Sequence, residues 1–231
     1  MTMRRKTRSH HSVSTTRSAA PSLFWMLVGI SFLALVWYRA LFHLPVWFDE
    51  FFAKAILFGL PFLVYVWSTK QSVVQFGLNP KRFWLGAYLG LALGGTFGFV
   101  AMVSSALKHG GHILIPYLFS SPQFWWTFSI AFATAWWESL FFYGFVLSVL
   151  LTIYKKNEWK TCLMATAIFL LFHAPILLLR GGVSASSLLS LVLLGFFAFG
   201  QSVIFIRYKS LISIVVSHAF WGMTLLVYTL K

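Results

Sequence analysis

Apolar residues fill seven long stretches of the chain, and short polar segments separate them. A membrane-spanning helix needs about 20 mostly apolar residues. The stretches of sufficient length cover roughly residues 22–44, 48–68, 83–107, 124–153, 161–179, 186–206 and 210–230. The pattern therefore predicts an all-α protein, a polytopic membrane bundle of about seven transmembrane helices.

Two of the stretches depart from a simple span. The second opens with Asp49, Glu50 and Lys54 and contains Pro61, so it is the least regular of the seven. The fourth is longer than a span requires, which predicts that it is tilted or lies partly along the interface. In the third stretch, Gly86, Gly90 and Gly94 lie four residues apart on one helix face, a spacing that predicts close packing against another helix.

The composition supports an integral membrane protein. Hydrophobic residues make up 59% of the 231-residue chain and charged residues only 10%, with a mean hydropathy of +0.82, values outside the range of soluble domains. The net charge of +14 is spread around the apolar stretches, so we expect a lipid bilayer and no nucleic acid as partner. A single cysteine, Cys162, excludes a disulfide framework or a cysteine-rich zinc site within one chain.

The first 21 residues form a separate region. They are rich in Arg, Ser, Thr and His and contain no acid, so residues 1–21 are predicted to be a disordered basic tail. A transit peptide has a similar composition and stays open as an alternative. Residues 22–231 then form one membrane-embedded helical domain.

The distribution of Lys and Arg predicts the orientation, because these residues are enriched in cytoplasmic loops. With the N-terminus inside, thirteen of them fall in inside segments and five in outside segments or helix ends. We therefore expect the N-terminus inside and the C-terminus outside. The inside residues are Arg4, Arg5, Lys6, Arg8, Arg17, Lys70, Lys81, Arg82, Lys155, Lys156, Lys160, Arg207 and Lys209, and the outside ones are Arg39, Lys54, Lys108, Arg180 and Lys231.

Three polar residues lie deep inside apolar stretches. Glu138 is in the fourth stretch, His173 in the fifth and His218 in the seventh. A carboxylate at hydrocarbon depth costs a few kcal/mol and usually faces a polar cavity with a function. The trio could bind a divalent metal, or the carboxylate could act as general base on water while an imidazole assists. Interhelical hydrogen bonds and proton relay in a transporter remain alternatives.

The local sequence around these residues resembles three motifs of the CPBP family, which comprises CAAX-type and bacteriocin-processing (Abi-like) intramembrane proteases. Residues 138–144, ESLFFYG, are similar to Glu-Glu-x-x-x-Arg, residues 169–173, FLLFH, to Phe-x-x-x-His, and residues 217–222, SHAFWG, to His-x-x-x-Asn. Residues 76–81 also resemble a loop found before the family core. The resemblance covers roughly residues 70–230, with the core at 124–230.

The resemblance implies an intramembrane endopeptidase that cleaves a membrane-associated or lipidated peptide. Glu138 and His173 would activate a water molecule, and His218 would polarise the scissile carbonyl, with Phe169 in support. Zinc held by these three residues and a metal-free glutamate mechanism both stay open. We expect the plasma membrane of a prokaryotic cell, and a cavity that opens toward the inside face.

The chain departs from the family pattern at three positions. Ser139, Tyr143 and Gly222 stand where the family has Glu, Arg and Asn. Positions 139 and 143 are neighbours on an α-helix, so we expect a Ser139–Tyr143 contact in place of an ion pair. Gly222 removes an oxyanion donor, which can cost about 10²–10³ in rate. The candidate substitutes are Trp221, Gln201 and Ser217.

These departures keep two other functions open. One is a catalytically impaired membrane scaffold or immunity-type protein of the same fold. The other is a proton-coupled transporter, which should show an inverted repeat and broken helices at matching positions. Neither feature is visible in the sequence, so the protease is the preferred interpretation. The substrate and the oligomeric state stay open.

Overall fold

The computed structural model describes residues 20–108, 110–111, 121–154, 157–181 and 184–228. This part of the chain contains helices and no strand. The predicted disordered tail lies outside the described residues, except for Ala20 and Pro21. The prediction of an all-α polytopic bundle is confirmed.

Seven helical segments follow the seven apolar stretches within the described residues. They are α1 (Pro21–Leu41), α2 (Val46–Thr69), α3 (Phe83–Lys108), α4 (Pro122–Ile153), α5 (Glu158–Gly181), α6 (Ala185–Tyr208) and α7 (Leu211–Tyr228). Five spans are long and apolar enough to cross a membrane by length and composition: α1, α2, Val73–Val100, α4 and Ser187–Tyr208. A shorter apolar helix covers Leu211–Met223. That all seven segments cross stays a prediction.

The two stretches that looked irregular in the sequence contain π-helical turns. In α2 these turns cover Asp49–Ala53 and Ala55–Gly59, and in α4 they cover Leu140–Leu147. Such turns are rare and occur frequently at functional sites, because the extra residue per turn redirects the side chains around it. Both helices therefore change their side-chain directions in the middle of the bundle.

The fourth helix, α4, is the central element of the fold. Of its apolar window, 67% is buried, against 17% to 39% for the other four spans. Every residue from Leu140 to Leu147 is buried. Neighbouring helices therefore surround α4, and its predicted tilt or interfacial position stays a prediction.

Close packing of α3 against α7 confirms the interpretation of the glycine series. A Cβ atom added at Gly90 would lie 2.6 Å from the Val216 Cβ and 2.9 Å from the Ser213 carbonyl oxygen. At Gly94 it would lie 2.6 Å from the Phe220 Cβ. Only glycine permits this approach, and these two helices form the most extensive contact among the described elements.

Contacts between loops show which ends of the helices lie together. The loop before α3 is joined to the loop before α7, since the Leu211 N–H donates to the Gly77 carbonyl at 3.0 Å and Arg82 donates to the Tyr208 carbonyl at 2.9 Å. Phe24 of α1 packs on Phe145 of α4. We call this end the proximal end; it contains the start of α1, residues 70–82, the α4–α5 connection and residues 208–211.

The other end of the bundle, called the distal end, contains residues 42–45, the end of α3, the start of α4 and the end of α5. Arg39 and Asp49 are joined here across the α1–α2 connection by an ion pair of 2.6 Å. The hydroxyl of Tyr38 donates to the same carboxylate. These contacts fix the turn between α1 and α2 and hold the first turns of α2 against α1.

Candidate active site

Glu138 lies on α4 just before the π-helical turns, and its two oxygens have different partners. Its Oε1 accepts a hydrogen bond from the Lys54 ammonium at 2.6 Å. Its Oε2 lies 3.6 Å from the Nε2 of His173 and 3.6 Å from the Nε2 of His218. The structure thus brings together the three residues that the sequence singled out, from α4, α5 and α7.

The imidazole of His173 is oriented by Phe169, one turn earlier on α5. The His173 Nδ1 lies 2.8 Å from the Phe169 carbonyl oxygen, and the two rings stack with centroids 4.1 Å apart. A carbonyl oxygen can only accept, so Nδ1 carries the proton. The Nε2 of the neutral ring then presents its lone pair toward Glu138, which suits it to accept a proton or a hydrogen bond.

The imidazole of His218 is held by Ser139. The Ser139 hydroxyl lies 3.3 Å from the His218 Nδ1 in the buried interior. When this hydroxyl donates, the neutral ring carries its proton on Nε2, the nitrogen that faces Glu138. The two histidines can therefore present a lone pair and an N–H to the same small region.

The predicted contact between Ser139 and Tyr143 is wrong. Ser139 bonds to His218, and the buried Tyr143 hydroxyl has no hydrogen-bond partner among the described residues. The π-helical turns begin at Leu140, so residues four apart are no longer aligned as on an α-helix. Ser139 therefore supports the site directly and does not replace an ion pair within α4.

A group of four side chains joins α2 to α4, and we call it the polar ladder. Lys54 contacts Glu138, and Glu50 accepts a hydrogen bond from the Thr134 hydroxyl at 2.6 Å. Lys54 also contacts Glu50 at 2.5 Å. Each helix contributes two residues four positions apart, and both cross-helix pairs are separated by 84 residues in the chain.

The sequence interpretation missed the polar ladder. The charge pattern assigns Lys54 to the outside segments and helix ends, whereas Lys54 is 7% exposed and lies beside Glu138. The Glu50–Lys54 spacing and the Thr134–Glu138 spacing were the available signals, because polar residues one helical turn apart share a helix face. That these two faces meet follows only from the three-dimensional packing.

A cavity of about 240 Å³ reaches the carboxylate of Glu138. Its wall includes three of the four acids of the chain, Asp49, Glu50 and Glu138, together with Arg39, Lys54 and His173. The cavity also includes Val46 at the start of α2, which is 61% exposed. It extends toward the distal end, away from the start of α1. That the cavity opens toward the inside face stays a prediction.

The candidate substitutes for the missing Asn differ in their contacts. The Ser217 hydroxyl lies 3.1 Å from both the Gln201 Oε1 and the Ile214 carbonyl, so it is already engaged. The buried Gln201 Nε2 has no hydrogen-bond partner among the described residues. Trp221 stacks on Phe197, which also packs on His218. Gly222 itself faces Ala131, where an added Cβ would meet ordinary contact at 3.7 Å.

The open question of zinc can be tested on the donor set. Within the described residues, no group of three His, Cys, Asp or Glu side chains is arranged to hold a metal ion. Glu138 is moreover paired with the Lys54 ammonium, which places a positive charge beside the atoms that would have to bind the cation. In this arrangement the Lys54 ammonium therefore competes with a zinc ion for the carboxylate of Glu138.

The fold and the site together define a polytopic membrane protein with a buried glutamate and two histidines at an internal cavity. A comparison with family models matches residues 120–224 to the type II CAAX prenyl endopeptidase Rce1-like family. Over this range, which contains all three motifs, the chain is similar to that family of CAAX-type intramembrane proteases. A search of curated proteins found no match. A search of solved structures found none either.

Proposed function

We propose that the chain is an intramembrane endopeptidase that hydrolyses a peptide bond of a membrane-associated or lipidated peptide. The observation that carries the proposal is the position of the Glu138 Oε2, 3.6 Å from both imidazole Nε2 atoms at the wall of a cavity. The similarity of residues 120–224 to a protease family supports the reaction class.

The arrangement supports hydrolysis by an activated water molecule. Glu138 Oε2 accepts a proton from the water while the water oxygen attacks the peptide carbonyl carbon. The lone pair on the His173 Nε2 orients the same water, and the His218 Nε2–H stabilises the negative charge on the carbonyl oxygen. When the carbon–nitrogen bond breaks, the proton on Glu138 passes to the leaving amine, and the carboxylate is restored.

Lys54 determines which oxygen of Glu138 can act as base. Its ammonium engages Oε1 at 2.6 Å and leaves Oε2 directed toward the histidines. Glu50 also contacts the ammonium and itself accepts a hydrogen bond from Thr134, so the carboxylate of Glu138 is held in one orientation. A base that is already oriented before the reaction favours it, because the carboxylate does not have to be reoriented to reach the transition state.

An alternative function is a catalytically impaired member of the same family that binds membrane peptides without cleaving them. Gly222 favours this alternative, since it provides no side-chain donor where the family motif has Asn. The ion pair of Lys54 with Glu138 favours it too, because it engages one oxygen of the proposed base. The two functions differ in whether new peptide ends depend on Glu138.

Quantitative mass spectrometry of peptide N-termini in cells tests the proposal. Cells expressing the wild-type chain and Glu138→Gln at equal levels should differ in a set of N-termini that disappear in the variant. Glu158→Gln is the matched control, because it makes the same chemical change at an exposed residue that starts α5. Identical profiles for wild type and Glu138→Gln would favour the impaired alternative.

Folding must be separated from catalysis in this experiment, since Glu138→Gln also leaves Lys54 without one partner. The double variant Glu138→Gln with Lys54→Met removes both charges together and should remain in the membrane without activity. His173→Asn and His218→Asn should also abolish the Glu138-dependent ends. His43→Asn, at an exposed position of the α1–α2 connection, should leave them unchanged.

A further inference from the structure

The cationic residues and the cavity lie at opposite ends of the bundle. With Lys54 assigned to the polar ladder, thirteen of the remaining seventeen Lys and Arg residues belong to the N-terminal tail and the proximal connections, where Lys70, Lys81, Arg82, Lys160 and Lys209 are found. The other four, Arg39, Lys108, Arg180 and Lys231, belong to segments that the sequence pattern assigns to the opposite side. Because cytoplasmic loops carry the excess of Lys and Arg, the proximal end faces the cytoplasm.

A layer of phenylalanine rings closes the site on its proximal side. Phe58 follows Lys54 on α2, Phe141 and Phe142 follow Glu138 on α4, and Phe169 precedes His173 on α5, so all four lie on the proximal side of the polar residues. All four are at most 2% exposed. The rings of Phe58 and Phe141 are 5.0 Å apart, and those of Phe142 and Phe169 are 4.8 Å apart. Water and peptide cannot reach Glu138 through such a packed layer.

A continuous set of polar side chains connects the site with the distal end. Arg39 and Asp49 lie at the cavity mouth, and Glu50 and Lys54 lead from there to Glu138. Charged groups inside a membrane are stable only where they are paired or reach water. These paired side chains line the cavity between Glu138 and the exposed Val46, so the route from the site to the distal end is polar.

From these opposite positions we infer that the cavity opens on the non-cytoplasmic face of the membrane. This inference rests on the proposed function for its substrate: the enzyme acts on peptide segments presented at the non-cytoplasmic surface, such as a translocated or membrane-anchored peptide. Peptides that carry their cleavage site in the cytoplasm lie on the wrong side of the phenylalanine layer. The location of the cleavage site thus selects the substrates.

Cysteine labelling of the full chain in membrane vesicles of known sidedness tests the orientation. Val46→Cys reports the cavity mouth and Val36→Cys the cavity wall. Val74→Cys is the matched control at the proximal end, where Val74 is 46% exposed. The native Cys162 is buried and serves as background. A small, membrane-impermeant thiosulfonate should modify Val46→Cys and Val36→Cys from the non-cytoplasmic side, and Val74→Cys only after permeabilisation.

Two results would overturn the inference. The reverse pattern would place the cavity on the cytoplasmic side, and modification of Val46→Cys without Val36→Cys would show that the cavity is not entered from the distal end. Both results are independent of proteolysis. If Glu138-dependent peptide ends exist, mapping them onto substrate topology gives a second test, because ends in cytoplasmic segments would contradict the inference while leaving the protease intact.

Discussion

Two helix contacts in this bundle are built on different physical principles. In the contact of α3 with α7, Gly86, Gly90 and Gly94 let the backbones approach until an added Cβ would overlap Ser210, Val216 or Phe220. In the contact of α2 with α4, two pairs of polar side chains meet, one of them an ion pair. The first contact is stabilised by dispersion between close backbones, and the second by hydrogen bonds and charge.

The difference between the contacts separates packing from function. None of the three glycines lines the cavity described above. Removal of one member of the polar ladder should lower the stability of the protein, because it leaves a charged or polar group on α2 or α4 without its partner. The ladder also contains Glu138, the candidate base. Buried ion pairs are often no more stabilising than apolar packing, so their presence indicates a role other than stability.

The largest effect is expected for Lys54→Met, which leaves the buried Glu138 and the part-buried Glu50 without their cation. We expect a loss of about 3–5 kcal/mol in stability, as is typical when one partner of a buried ion pair is removed. The melting temperature in detergent measures it. The double variant Lys54→Met with Glu138→Gln should be more stable than Lys54→Met alone. Equal melting temperatures for the two would show that Lys54 and Glu138 are not coupled.

The next effect is expected for Thr134→Val, which removes the hydroxyl that donates to Glu50 and keeps the side-chain shape. A hydrogen bond to a charged group contributes about 1.5–3 kcal/mol, so stability should fall by that order. Thr134→Ser retains the donor and should stay close to wild type in the same melting assay. A Thr134→Ser variant as unstable as Thr134→Val would mean that the methyl group matters and the hydroxyl does not.

A smaller effect is expected for Gly90→Ala in the glycine contact. Its Cβ would lie 2.9 Å from a backbone oxygen that cannot move independently of its helix, so overpacking should cost about 1–3 kcal/mol, partly offset by the better helix propensity of Ala. Loss of the native α3–α7 contact can be followed by cross-linking of cysteines placed across it. Unchanged stability would show that the two helices are farther apart than described.

The smallest change is expected for Gly95→Ala, next to the same face, and it should have the opposite sign. No atom lies within 4 Å of an added Cβ there. Alanine is favoured over glycine in a helix by up to about 1 kcal/mol, so the melting temperature should rise slightly. A decrease would point to an interaction of Gly95 with the bilayer or with a second protein.

The same two contacts show what the sequence could predict. The close packing of α3 could be predicted because its glycines lie within one helix and repeat every four residues. Glu138, His173 and His218 were found because each is an isolated polar group in an apolar stretch. In the structure both histidines lie near one carboxylate oxygen of Glu138. Residues 120–224 match the family model, and both findings agree with the motifs.

The remaining features depend on information that one helix does not contain. The pairing of Lys54 with Glu138 joins residues 84 positions apart and requires the relative rotation of α2 and α4. The prediction of a Ser139–Tyr143 contact was wrong because the π-helical turns change the residue spacing. The sequence of residues 140–147 gives no signal that predicts these turns. The direction of the cavity depended on where the phenylalanine rings pack, which hydropathy does not resolve.

The polar ladder also has a consequence for biosynthesis. A lysine near the centre of a nascent helix disfavours its insertion by about 2.5–3.5 kcal/mol, and α2 carries Lys54 with only Glu50 as a partner within the helix. Its second partner, Glu138, is synthesised 84 residues later. During translation α2 therefore remains an incompletely neutralised helix until α4 enters the bilayer. The polar ladder can form only after α4 has been synthesised, so chains that stop before α4 leave Lys54 without Glu138.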